Sequence, residues 1–118
     1  MEATKRAVLY ARVSTEDQAR NGYSLQTQIE RIREYAEQQG WLVITSIRDE
    51  GVSGATLERP GLETVRTMAA NDEFDVLIVY DLDRLSRKAV HQMILEDELE
   101  RAGVHVHYLL GGYADTDE

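Results

Sequence analysis

The chain contains no cysteine among its 118 residues. Without thiols it cannot form disulfides, bind zinc through thiolates or use a cysteine nucleophile. It also lacks an apolar run long enough to cross a membrane, and its N-terminal apolar stretch is too short for a signal peptide. The sequence therefore predicts a cytoplasmic protein that has no membrane partner.

Basic residues are the minority charge, because 13 lysines and arginines stand against 22 acidic residues, giving a formal charge of −9. Phosphate contacts depend on lysine and arginine, so this balance argues against a free-standing nucleic-acid binder. Several arginines nevertheless lie beside predicted strand ends, and an acidic chain can contain a local basic pocket. The length and the 42% of hydrophobic residues predict a single globular domain with a real core.

Hydrophobic patterns predict seven elements in the order βαβαβαβ. Uninterrupted apolar runs, typical of strands buried on both faces, predict strands over 6–13, 41–47, 74–80 and 104–110. Apolar residues at helical spacing predict helices over 23–39, from Pro60 onward and over 88–102, and 49–59 is predicted to be a loop. This order predicts an α/β fold, an open, doubly wound, three-layer structure with a mostly parallel sheet and helices on both faces.

Polar residues follow the ends of the predicted strands. Arg12 and Ser14 lie at the carboxyl end of the first strand, the segment DLDRLSR (81–87) follows the third, and Arg59 ends the loop after the second. Ligands of such folds bind outside the carboxyl ends of the strands. If the first and third strands are neighbours, these groups converge on one crevice.

Ser14 has two interpretations. Together with Asp17, three residues later, it resembles a capping box, which would make it a helix cap. Alternatively, Arg12 holds an anion and Ser14 attacks it. The local sequence alone favours the cap.

The arginines of DLDRLSR favour the second interpretation. Arg84 and Arg87 are three residues apart at a predicted helix start, where the helix dipole disfavours cations. Their position suggests a bound anion such as phosphate, which the planar arginine fork binds through two parallel hydrogen bonds. The alternative is that Asp81 and Asp83 simply pair with these arginines.

Asp81 and Asp83 also form a D-x-D pair of the kind that can hold magnesium. Such a site needs a further acidic residue at the end of the first strand. Arg12 and Ser14 stand there instead and do not attract a cation, so the sequence disfavours a metal site.

Four segments of the chain resemble, in order and spacing, the catalytic domain of serine recombinases, the resolvase–invertase–serine integrase family. They are YARVSTEDQ, YSLQTQIERI, DEGVSGATLERPGLETV and DVLIVYDLDRLSR. The resemblance covers nearly the whole chain. The long stretch between Ser14 and Gln28 is more similar to large serine recombinases, such as phage integrases and transposases, than to small resolvases.

The resemblance implies roles at the matching positions. Ser14 would attack a DNA phosphodiester, release a 3′ hydroxyl and stay linked to the 5′ phosphate until strand exchange and religation. The scissile phosphate would be bound by four arginines and the site completed by four further polar residues: Arg12, Arg84, Arg87 and Arg59, with Asp83, Gln18, Gln28 and Tyr10. No metal or nucleotide cofactor is implied, and the base that accepts the Ser14 proton is left open.

The resemblance also implies that residues 1–118 are a catalytic domain truncated before a long dimerisation helix and a DNA-binding region. DNA would then be bound by the full-length protein, which would associate into dimers and tetramers, and the isolated fragment would be inactive. Two alternatives stay open at this point. One is a non-catalytic, flavodoxin-like regulatory or dimerisation module, and the other is a metal-dependent nuclease or primase-like domain.

Overall fold

The computed structural model describes residues 4–13, 25–50, 59–81 and 89–110. Within these ranges the elements follow one another in the predicted order βαβαβαβ. The strands are β1 (Arg6–Val13), β2 (Leu42–Glu50), β3 (Val76–Asp81) and β4 (His105–Leu110), and the helices are α1 (Leu25–Gln39), α2 (Pro60–Ala70) and α3 (Ala89–Arg101).

The four strands form one parallel sheet in the order β2-β1-β3-β4. The predicted adjacency of the first and third strands is therefore confirmed. Pairing of β1 with β3 ends at Tyr10 and Val79, whereas pairing of β1 with β2 continues to Val13 and Glu50. The carboxyl end of β1 thus extends past its pairing with β3, at the point where the strand order reverses and where such sheets bind ligands.

Helices cover both faces of the sheet, which confirms the predicted three-layer α/β architecture. Along β1, odd-numbered residues such as Leu9 pack with α1, while Val8 and Tyr10 pack with α2 and α3. This alternation follows from the two-residue period of a strand. Because both faces of β1 are covered, its residues from Ala7 to Ala11 are fully buried, as the uninterrupted apolar run predicts.

The helices begin and end where the sequence provides the appropriate residues. Pro60 is the first residue of α2, where its missing N–H costs no hydrogen bond. Gly40 and Gly103 follow α1 and α3 with φ of 78° and 88°, left-handed values that glycine adopts without steric cost. None of the three described helices has the length and apolar content needed to cross a bilayer.

β2 differs most from its prediction. The apolar run predicted a strand over 41–47 and a loop from Asp49, but β2 begins at Leu42 and continues to Glu50. Its polar end stays in the sheet because it pairs residue by residue with β1, which brings Asp49 opposite Arg12. The side chain of Asp49 is also hydrogen-bonded to α2. Tertiary contacts thus extend the strand beyond its hydrophobic signal.

The other boundaries shift by one or two residues, as is usual at element ends. β3 runs from Val76 to Asp81 rather than over 74–80, because Phe74 is buried in the core ahead of the ladder. β4 begins at His105 rather than at 104, and α3 ends at Arg101 rather than at 102. The predicted helix starts at 23 and 88 lie outside the described residues.

Candidate active site

A cluster of buried polar side chains lies at the carboxyl end of β1. Arg12 and Arg59 are 1% and 0% exposed, although arginine is almost never fully buried without partners. Burying a charge is costly, so a fold retains such groups where they are paired or functional. We call the five buried residues at this position the polar cluster: Tyr10, Arg12, Gln28, Asp49 and Arg59.

Asp49 accepts three hydrogen bonds that hold the polar cluster together. Its Oδ1 accepts a hydrogen bond from the backbone N–H of Gly61 at 2.7 Å, and its Oδ2 accepts one from Leu62 N–H at 3.1 Å. The hydroxyl of Tyr10 donates to the same Oδ2 at 2.5 Å. One carboxylate from β2 therefore connects the first turn of α2 to the central strand β1.

Asp49 also caps α2 in place of the usual residue. The N-cap position is occupied by Arg59, whose side chain makes no capping hydrogen bond. Pro60 has no N–H, and Glu63 N–H donates to the Arg59 carbonyl at 2.8 Å, so Asp49 accepts the two remaining first-turn donors. The positive end of α2 is thus occupied by a carboxylate of the protein, and an incoming anion must be bound by side chains instead.

Arg59 lies over the ring of Tyr10, with its guanidinium carbon 5.7 Å from the ring centroid. This distance is within the range of a cation–π interaction. Burial lowers the pKa of Arg59, and the neighbouring Tyr10 and Asp49 oppose that change. The guanidinium keeps its charge at neutral pH because its ordinary pKa lies far above neutrality.

Tyr10 is held as a neutral phenol. Burial raises its pKa most, Arg59 opposes this, and the hydrogen bond to Asp49 raises the pKa further. A protonated hydroxyl donates, and its acceptor here is the carboxylate of Asp49. The hydroxyl of Tyr10 therefore positions Asp49, while the ring of Tyr10 packs against the guanidinium of Arg59.

Arg12 and Gln28 complete the polar cluster from β1 and α1. Strand alternation puts Arg12 on the same face as Tyr10, and its positive charge acts to lower the pKa of that tyrosine. Gln28 Nε2 donates a long hydrogen bond, 3.5 Å, to the Arg12 carbonyl, beyond the point where β3 stops pairing. Gln28 thereby connects α1 to the carboxyl end of β1.

The structure brings together four of the nine site residues predicted from the sequence. Tyr10, Arg12 and Arg59 meet in the polar cluster, and Gln28 reaches it from α1 through the backbone carbonyl of Arg12. The other five lie outside the described residues: Ser14, Gln18, Asp83, Arg84 and Arg87. Among the described residues no group of three metal-ligating side chains is close enough together to hold a metal ion.

Sequence reasoning missed Asp49, which it took as the first residue of a loop. The available signal was the start of α2, where arginine and then proline occupy positions that supply no side-chain cap. A helix start of this kind needs an acceptor from elsewhere in the chain. An acid at the end of the preceding strand is the nearest candidate.

A sequence comparison matches residues 7–118 to the family described as "Resolvase, N terminal domain". The chain belongs to this family. The match covers the polar cluster and all nine predicted site residues. The resemblance to a serine recombinase catalytic domain is thereby confirmed, and the flavodoxin-like module and the metal-dependent nuclease lose support.

Solved structures of serine recombinases share the fold. The N-terminal catalytic domain of TP901-1 integrase is 40% identical with a TM-score of 0.83, and the match covers 89% of this chain and 78% of that one. The C-terminal catalytic domain of ISC1926 TnpA, an IS607-like serine recombinase, is 30% identical with a TM-score of 0.80, covering 92% and 69%. The resolvase-like fold is confirmed by both.

Two of the relatives of known sequence are at least twice as long as the part that matches this chain. A recombinase relative from Bacillus subtilis (strain 168) is 41% identical over 110 residues, which cover 93% of this chain and 21% of that protein. The Tn917 transposon resolvase of Enterococcus faecalis is 34% identical over 96 residues, covering 81% and 45%. The chain therefore spans less than half of the length of either relative.

Proposed function

We propose that this domain cleaves and rejoins DNA in site-specific recombination, with Ser14 as the nucleophile. The observation that carries the proposal is the burial of Arg12 and Arg59 beside Asp49, the one acid that is buried among the residues whose side chains are described. Two guanidinium groups close together in a region of low dielectric suit the binding of a phosphodiester. Ser14 directly follows the last residue of β1 in the sequence.

The reaction is a reversible phosphoryl transfer. The Ser14 Oγ forms a bond to phosphorus while the bond from phosphorus to the 3′ oxygen breaks, and the 3′ oxygen leaves as a hydroxyl. The serine loses one proton and the leaving oxygen gains one, so the step is balanced. Attack by the 3′ hydroxyl of another strand on the 5′-phosphoserine reverses the step and rejoins the DNA.

The arginines neutralise the phosphate and orient it for attack, which is most of what phosphoryl transfer requires. Arg12 and Arg59 contribute from the polar cluster, and we assign the same task to Arg84 and Arg87. Asp83 orients an arginine or the nucleophile. The supporting residues hold these groups in place: Tyr10, Gln18 and Gln28. Since the arginines supply the positive charge that a metal supplies in metal-dependent nucleases, we expect cleavage without a metal or nucleotide cofactor.

The remaining parts of the reaction belong to a longer protein. We propose that residues 1–118 are followed there by a long dimerisation helix and a DNA-binding region, and that strand exchange takes place in a tetramer built from dimers. The match spans 21% and 45% of two longer relatives, which supports this division. The acidic charge of −9 supports it as well, since affinity for DNA must then come from elsewhere. We expect the protein to act in the cytoplasm.

A covalent trap tests the proposal. The full-length protein is incubated with fragments of its host's DNA, denatured and resolved on a denaturing gel. The wild type should give a protein–DNA adduct, Ser14→Ala should give none while still binding DNA, and Ser46→Ala, a serine within β2, should behave as the wild type. Cleavage should survive an excess of chelator. An adduct formed by Ser14→Ala, or cleavage that requires added magnesium, would overturn the proposal.

A further inference from the structure

The position of Asp49 raises a question that helix stability alone does not answer. A helix is normally capped by the residue directly before its first turn, most often Ser, Thr, Asp or Asn. That residue is Arg59, which does not cap α2 and instead lies over Tyr10. The cap comes from β2, which frees the N-cap side chain for another task.

The geometry of Asp49 fixes the relation between two arginine-bearing segments. Its carboxylate binds the amides of Gly61 and Leu62, which directly follow Arg59 and Pro60 at the start of α2. The same carboxylate binds the hydroxyl of Tyr10, two residues before Arg12 on β1. A shift of either segment relative to the other must therefore break at least one of three short hydrogen bonds.

We propose that Asp49 is a positioning residue for DNA cleavage: it holds the start of α2, and thereby Arg59, against β1 so that Arg59 and Arg12 meet the same phosphate. This role rests on the proposed function. Asp49 does not itself touch the phosphate, because both its oxygens are occupied by donors from the protein. It acts through Arg59, and cleavage is sensitive to such placement because errors of about 1 Å can cost about 100-fold in rate.

A double-mutant cycle in the full-length protein tests whether Asp49 acts through Arg59. Asp49→Asn keeps the shape but removes the charge and presents an amide N–H₂ to one of the donors. We expect single-turnover formation of the Ser14 adduct to slow by about 10–100-fold, with DNA affinity almost unchanged. In an Arg59→Ala background the same substitution should cost less than about 3-fold, since the group it positions is gone. Independent, multiplicative losses would overturn the proposal.

The matched control is Asp75→Asn. Asp75 also accepts several hydrogen bonds, all from Arg6, but it lies at the opposite, amino-terminal end of the sheet. If Asp49 served only to stabilise the fold, Asp49→Asn and Asp75→Asn would slow cleavage equally whenever they lower the melting temperature equally. If Asp49→Asn fails to fold, Tyr10→Phe, which removes only the hydroxyl bound to Asp49, enters the same cycle and must also couple to Arg59→Ala.

A measurement without DNA separates this inference from the proposed function. In the wild type, the Arg59 Nε–H should give one sharp NMR signal that exchanges slowly with water. In Asp49→Asn the exchange should become at least about tenfold faster, because the start of α2 opens more often. An unchanged Arg59 signal would refute the positioning role even if the Ser14 adduct forms. Absence of the adduct in the wild type would refute the function while leaving this result interpretable.

Discussion

Gly61 is the position where a single methyl group tests the account of Asp49. A Cβ added to Gly61 would lie 2.8 Å from Asp49 Oδ2 and 2.9 Å from both Oδ1 and Cγ. Carbon atoms do not approach oxygens this closely, so in Gly61→Ala either the carboxylate or the first turn of α2 must move. The carboxylate cannot move without lengthening its hydrogen bonds to the α2 amides and to Tyr10.

The expected loss of stability in Gly61→Ala is opposite in sign to the usual effect of replacing a helical glycine by alanine. Within a helix, alanine is favoured over glycine by about 1 kcal/mol, so Gly61→Ala in an open position would stabilise the protein. Here each hydrogen bond from an amide to the buried carboxylate contributes about 1.5–3 kcal/mol. Weakening both, and disturbing the packing around them, should leave a net loss of about 2–4 kcal/mol in the free energy of unfolding.

Urea unfolding of the 118-residue chain, followed by far-UV circular dichroism, measures this loss. The transition midpoint of Gly61→Ala should fall with an unchanged slope. In an Asp49→Ala background, where no carboxylate meets the new methyl, Gly61→Ala should be neutral or stabilising by up to about 1 kcal/mol. A harmless Gly61→Ala in the wild type, or an equal cost in both backgrounds, would refute the reasoning.

Two titratable groups and the acidic charge of the chain give the remaining expectations. Hydrogen bonds from Arg6 lower the pKa of Asp75 in the folded protein below its ordinary value of 3.8. Their contribution to stability should therefore be complete above pH 3.8 and be lost as the pH falls through the lower pKa of the folded state. In Asp75→Asn, stability should depend less on pH in this acid range, which we call the acid limb of the stability curve. Trp41, the one tryptophan, packs edge-on against His107, with the two ring centroids 4.9 Å apart. Burial foremost, and then His105, lower the pKa of His107, so Trp41 fluorescence should titrate with a midpoint below 6.5. The isolated chain, at −9, should shift little DNA in a gel at micromolar protein and moderate salt.

The first two of these expectations have matched controls. Asp97→Asn, which alters an exposed ion pair on α3, should leave the acid limb almost unchanged. His91→Gln, on the helix across the sheet from Trp41, should preserve the fluorescence titration, whereas His107→Gln should abolish it. A fluorescence midpoint above 6.5 would contradict the burial argument. Tight, sequence-specific binding by the isolated chain would contradict the assignment of DNA affinity to a further region.

The sheet could be predicted because its signals are local. The run AVLYA in β1 has no polar interruption, and this pattern predicts a strand covered on both faces. Pro60, Gly40 and Gly103 then mark helix ends by their backbone preferences alone. The meeting of Arg12 and Arg59 also followed from a general rule, since carboxyl ends of neighbouring parallel strands share one edge.

The burial of the polar cluster could not be predicted from local sequence signals. A charged residue at a strand end is ordinarily solvated, yet Arg12 and Arg59 are almost fully buried. Their burial depends on contacts between segments far apart in sequence, such as the hydrogen bond from Tyr10 to Asp49. The roles of five residues outside the described ranges stay predictions: Ser14, Gln18, Asp83, Arg84 and Arg87.

The polar cluster is costly for the fold, which is an argument for its function. A buried ion pair is often no more stabilising than apolar residues of the same volume. Stability alone would favour an aliphatic side chain in place of Arg59 and a local cap for α2. The chain instead has arginine at the N-cap and brings Asp49 from another strand to cap the helix. This costly arrangement is what we expect if the polar cluster is the anion-binding site that we propose.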